Sequence, residues 1–190
     1  MELSRIIVKD AVSLEQVNAL AWSENWSLLD FNPRTETSPY NKIWITQDEQ
    51  TGIHYIEDFL INIRYFLVEG KNQEQIIAKI SSSIDTYDEK EIFEMAENAV
   101  NQDNYIRAIY HIAILARQTY NPKIFEIFNS AFTHADPEVR KAAILATVAI
   151  GWKEFRETLQ GLQVNDPDLN VRERAHRTLQ NLAKNNWKEE

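Results

Sequence analysis

The chain has no cysteine. That excludes disulfides, thiolate metal sites and a cysteine nucleophile, and it is compatible with the reducing cytosol of a cytoplasmic protein. Glycine and proline are scarce, at 4 and 5 residues in 190, while apolar residues make up 44%. Such a composition is that of a globular chain and not of a disordered one. No stretch approaches the roughly 18 uninterrupted apolar residues of a membrane-spanning helix. The N-terminus MELSRIIVKDAVSLEQ lacks the basic region and apolar run of a signal peptide. Clustered positive charge is missing too. Net charge is -9; residues 1–100 hold 8 Lys+Arg against 18 Asp+Glu, and residues 101–190 hold 12 against 11. Neither half collects phosphates, so nucleic acid is not the expected partner. The acidic first half favours a basic one.

Chemistry-bearing motifs are absent as well: there is no HExxH, GxSxG, phosphate-cradling glycine loop or dinucleotide fingerprint. Ser81-Ser-Ser83 falls within a helical pattern and has no nearby base. His54, Glu57 and Asp58 are close in sequence, but strand alternation separates Glu57 from the other two. His111 and His176 occupy equivalent positions two repeats apart, too far for a shared metal. No catalytic, cofactor-binding or metal site is assigned.

Within residues 1–70 the pattern is that of a small α+β unit. Arg5–Lys9 is β-rich, and Ser13-Leu-Glu-Gln16 is a capping box that opens a helix to about Trp22, with Val12 and Val17 at its staple positions. Trp26–Phe31 is a candidate strand. Ile43–Thr46 and Ile53–Ile56 flank Asp48-Glu-Gln-Thr-Gly52, a hairpin in which Gly52 is expected to supply the positive φ. Phe59–Val68 alternates, with Phe59, Ile61, Ile63, Tyr65 and Leu67 on one apolar face and a mixed face opposite. The aromatics Trp22, Trp26, Trp44, Tyr55, Tyr65 and Phe66 form either the core of this unit or an exposed patch for a partner.

From Asn72 the apolar period becomes helical, with a stripe of Ile76, Ile77, Ile80 and Ile84. Thr86-Tyr-Asp-Glu89 reads as a second capping box. One phrase then occurs three times: Asp103-Asn-Tyr-Ile106-Arg107, Asp136-Pro-Glu-Val139-Arg140 and Asp168-Leu-Asn-Val171-Arg172. Each Asp is placed to cap a helix, and Pro137 suits the first helical position. The copies begin 33 and 32 residues apart. A period near 32 with two helices per unit describes an α-solenoid. Arg172, Arg174, Arg177, Lys184 and Lys188 put a modest basic stretch near the C-terminus, diluted by Glu173, Glu189 and Glu190.

The segments Asp136-Pro137-Glu138-Val139-Arg140-Lys141-Ala142-Ala143 and Asp168-Leu-Asn-Val171-Arg172-Glu-Arg-Ala175 resemble short HEAT-like repeats of the phycobilisome-lyase type, over about residues 103–182. The resemblance implies a HEAT-like α-solenoid of about three helix pairs on 71–190; with the small α+β unit and its antiparallel sheet read on 1–70 from the residue pattern, the expected fold is mostly α. It also implies a ladder of charges across the stack, made by Asp103, Arg107, Asp136, Arg140, Asp168 and Arg172. The implied function is non-catalytic protein or peptide binding. An alternative in the same family is a phycobilin lyase subunit or relative that handles a tetrapyrrole. An acidic inhibitor of a toxic enzyme is a third reading, on charge alone.

Overall fold

The computed structural model describes residues 3–116 and 119–185. The chain divides into two compact units, Met1–Glu89 and Lys90–Glu190.

In the first unit a five-stranded antiparallel sheet runs in the order β1-β5-β4-β3-β2, from β1 (Ser4–Ile7), β2 (Ser27–Asn32), β3 (Tyr40–Ile45), β4 (Thr51–Asp58) and β5 (Ile63–Gly70). Helix α1 (Leu14–Ser23) starts on the expected capping box: the Ser13 amide donates to Gln16 Oε1 at 2.8 Å, and the Gln16 amide donates to Ser13 Oγ at 3.3 Å. Val12 and Val17 are both buried beside it. Helix α2 (Gln73–Ser83) contributes Ile76 and Ile80, and Ile84 follows; these join Leu20, Trp26, Trp44, Ile53, Tyr55, Phe66 and Val68 in one buried cluster. Each such side chain contributes about 1.5–3 kcal/mol through the water it sheds. The first unit thus takes in α2, which a boundary near Gly70 would assign to the helical part.

Several local expectations change. The strand expected from Phe59 begins at Ile63, because β4 runs on to Asp58 and Asn62 turns the chain at φ 53. Its mixed face is the core: Phe66 and Val68 are wholly buried under the helices, whereas Tyr65 and Leu67 opposite are half-buried. Packing against α1 and α2 outweighs the apolar count of the other face. In the β3–β4 connection the positive φ belongs to Glu49 and not to Gly52. Thr86 does not cap a helix; its backbone bridges Val8, and α3 (Glu89–Glu97) starts three residues later.

The second unit contains α3, α4 (Gln102–Leu115), α5 (Pro122–Phe132), α6 (Pro137–Ile150), a 3-10 turn at Lys153–Phe155, α7 (Arg156–Asn165) and α8 (Leu169–Asn185). Helix α6 packs on both α4 and α8, with α5 on α6 and α7 on α8. Phe155 is the hub of its core, its ring 5.3–5.8 Å from those of Phe125, Phe128, Phe132 and Trp152.

The expectation of a mostly α chain built on a solenoid does not hold. The fold is α+β, with the sheet preceding most of the helices, and no solenoid is present among the described residues. What recurs is the start of a helix and not a stacked unit. The first copy opens its helix on a different residue, a 3-10 turn interrupts the connection to α7, and no described helix follows α8. A regular spacing of helix starts states where the chain turns, which a compact helical unit satisfies as well as a superhelix does. No described helix is long and apolar enough to cross a membrane.

Candidate functional site

The repeated charges build a brace at two helix starts. Asp136 is the N-cap of α6 and accepts from the Glu138 amide at 2.8 Å. Asp168 does the same for α8, accepting from the Asn170 and Val171 amides at 2.8 and 3.1 Å. Each Arg then folds back six residues onto a carbonyl: Arg140 Nη1 donates to the His134 oxygen at 2.7 Å, and Arg172 Nη1 donates to the Asp166 oxygen at 2.5 Å. The residue two before each Asp holds that Asp's amide, through His134 Nδ1 at 3.0 Å and Asp166 Oδ1 at 2.9 Å. His134 and Asp166 are therefore the same position of the repeat, an equivalence the phrase Asp-x-x-Val-Arg leaves out.

Asp166 also joins the two copies. Arg140 Nε donates to its Oδ2 and Nη2 to its Oδ1, both at 2.8 Å, with side chains 8% and 2% exposed. Its hydrogen bonds to Asp166 push the Arg140 guanidinium above its ordinary value against the pull of burial, with Asp168 and Asp136 adding to the effect. Burial alone would raise the Asp166 carboxyl, but donation from Arg140 and from the Asp168 amide outweighs it and holds the group below the usual carboxylate range.

The first copy departs from this pattern. Asn101, not Asp103, caps α4, accepting from the Asn104 amide at 2.9 Å, and Asp103 is an exposed residue in the first turn. Arg107 is half-buried, and its carbonyl lies 2.8 Å from His111 Nδ1. The implied six-residue set is thus placed at three helix starts. The structure brings Arg140, Asp168 and Arg172 together through Asp166, while Asp136 caps the helix that carries Arg140.

The histidines are dispersed. His111 is buried; His176 is exposed, 2.9 Å from Gln180; His54 Nε2 lies 3.6 Å from Glu69. Glu57 accepts from the Tyr55 hydroxyl at 3.1 Å, and Asp58 accepts from the Leu60 amide at 3.0 Å. Among the described residues no three potential ligands gather to hold a metal ion. A cleft of about 380 Å³ in the first unit is lined by Asp10, Arg34, Glu57, Asp58 and Arg64. Both of its cations are committed: Arg64 donates to the carbonyls of Val12 and Asp10 at 2.5 and 2.7 Å, and Arg34 lies over the Phe59 ring at 4.1 Å. In the second unit an open groove of about 600 Å³ runs past His134, Arg140, Leu162 and Asp166, whose charges already satisfy one another. Of the basic C-terminal stretch, Arg174, Arg177 and Lys184 are exposed on α8, Arg177 lying 3.6 Å from Glu173; Lys188, Glu189 and Glu190 lie outside the described residues.

The aromatic residues of the first unit divide in two. Trp26, Trp44, Tyr55 and Phe66 are core, Tyr65 is half-buried, and Trp22 is 87% exposed at the end of α1. Four residues beyond Asn25, where φ is 53, lies the middle of β2. All six residues of that strand are exposed, Leu28, Leu29 and Phe31 among them. β2 is an outer strand of the sheet, paired with β3 alone. The opposite margin is occupied: next to β1, Tyr87 and Lys9 exchange backbone hydrogen bonds with Ile7 and Asp85 at 2.9 Å each. Leu28, Leu29 and Phe31 are thus large apolar residues that the first unit leaves exposed along its open margin, Phe31 edge-on to the Tyr40 ring at 5.3 Å, and Trp22 is a further one on α1. The sequence signal was the apolar pair Leu28-Leu29 and Phe31 within the candidate strand Trp26–Phe31, whose exposure is decided by the sheet order.

A scan against family models finds no match, and searches of curated proteins and of solved structures find no similar chain.

Proposed function

We propose that this protein is a non-catalytic protein-binding module whose docking surface is the open margin of its sheet, Trp22 with Leu28, Leu29 and Phe31. The observation that supports this reading is the exposure of all six residues of β2. Leu28, Leu29 and Phe31 are 48–62% exposed, so covering the rest of each against a partner gives about 1 kcal/mol, and more for Trp22, the kind of apolar anchor that dominates many interfaces. The phycobilin-handling alternative rests on the repeat resemblance alone.

The test is photo-crosslinking from residues 22 and 29 in the native host, with Leu28→Asp/Phe31→Asp as the control. The reading expects discrete protein adducts at both positions that vanish in the double variant while its circular dichroism spectrum is unchanged. Adducts insensitive to the double variant, or none at either position, would overturn it.

A further inference from the structure

The mode of docking and the chemistry of the partner follow from β2, and this step rests on the reading of that margin as a binding surface. A strand at a sheet edge carries a row of backbone donors and acceptors that only another extended chain satisfies in register. Two devices that proteins use against unwanted pairing are weak here. The strand is six residues long, and its one irregularity is the register shift at Leu29, between Leu28 and Asp30. Its apolar side chains stay exposed on both sides of that shift. The only charge on the strand is Asp30, whose Oδ1 accepts from the Phe31 amide at 2.7 Å and whose Oδ2 lies 3.5 Å from Asn32 Nδ2. That carboxylate shields an edge amide with a group that a cation would draw away.

Charge selects between the candidate occupants. Residues 1–89 carry 7 Lys+Arg against 15 Asp+Glu. Several of those cations are engaged within the unit: Arg64 on three carbonyls, Lys42 on Asn18 at 2.8 Å, and Lys79 on Glu24. A second copy of this chain would set one acidic unit against another and Asp30 close to its own duplicate, an arrangement that costs energy across a strand pair. We infer that β2 receives an extended segment of a basic partner protein as a sixth strand, with apolar side chains packing on Leu28 and Phe31 and a lysine or arginine meeting Asp30. The register sets Leu28 and Phe31 opposite Trp44 and Lys42, on one face, and Asp30 opposite Ile43, on the other, so the pattern of the incoming segment is apolar and basic in turn.

The probe is a ten-residue peptide of alternating valine and lysine, presented to the full chain. Two companions have glutamate for lysine, or N-methyl groups on alternate amides. Backbone amide exchange by NMR is read across β2. The lysine peptide is expected to slow exchange in β2 and to bind roughly tenfold or more tightly than either companion, and Asp30→Asn is expected to erase most of the preference over the glutamate peptide. Equal binding of the N-methylated peptide overturns strand addition, and equal binding of the glutamate peptide overturns the basic partner. Slowed exchange in β2 that appears with protein concentration alone, together with a dimer in sedimentation, also overturns it in favour of a second copy. If crosslinks from residues 22 and 29 persist while no peptide slows β2, the sixth strand is wrong and the apolar docking surface stands.

Discussion

Arg140 and Asp166 are 26 residues apart in sequence and form a two-point ion pair, both contacts at 2.8 Å, with almost no exposure to water. The pair ties the start of α6 to the turn between α7 and α8. Asp166 serves three donors at once, accepting from Arg140 and the Asp168 amide through its side chain and from Arg172 through its carbonyl. Removing one member of a buried pair strands the other, which is more costly than never having built it.

Asp166→Ala should therefore destabilise the second unit by about 3–5 kcal/mol, and urea unfolding followed by circular dichroism should show a transition moved to lower denaturant. Asp103→Ala, at an exposed first-turn residue that caps nothing, should stay within about 0.5 kcal/mol of the parent. Equal losses for the two would mean that the buried Arg140 pair has no more weight than an exposed first-turn aspartate.

The pair also sets a pH dependence. Asp166 titrates below its ordinary value in the folded chain, whereas an aspartate in an unfolded chain titrates near about 4. The folded state thus binds the proton less readily, and stability rises with pH across that interval. The contribution is complete above about pH 4 and is lost as pH falls through the folded value. Thermal melts between pH 2 and 7 should show this acid limb, and Asp166→Asn should flatten it. A limb of unchanged depth in the variant would assign the acid sensitivity to other carboxylates.

Two glycines should respond in opposite directions to alanine. Gly70 has φ +132, and an added Cβ would lie 2.2 Å from the Gln50 oxygen; backbone must move, and a loss above about 2 kcal/mol is expected in the first unit. Gly161 lies within α7 with nothing within 4 Å of an added Cβ. There alanine should stabilise by up to about 1 kcal/mol, the difference in helix propensity. Thermal melts of both variants test the contrast.

Local signals in the sequence were legible where their meaning is local. The capping box at Ser13 and Gln16, the strand near β1, the isoleucine stripe of α2 and the helix starts at Asp136 and Asp168 are decided within a turn or two of chain. The signals that misled were local patterns with distant meaning. Alternation in Phe59–Val68 identified a strand, but the face that became the core was chosen by α1 and α2. Gly52 looked like the turn residue, yet Glu49 holds the left-handed conformation because the register of β3 and β4 places the turn there.

The 32-residue spacing stands apart from these. By itself the sequence determined that α6 and α8 begin 32 residues apart on the capping aspartates Asp136 and Asp168, because a cap needs only its own next three amides. It also determined the acidic balance of the first half and the absence of thiol chemistry. Only the tertiary structure decided what the repeated charges do, because Arg140 finds its carboxylate on Asp166, a residue outside the repeated phrase. Only the sheet order placed β2 at an open margin, since exposure is a property of neighbours and not of the strand. The same Leu28, Leu29 and Phe31 would be core in a central strand; at the edge they face water.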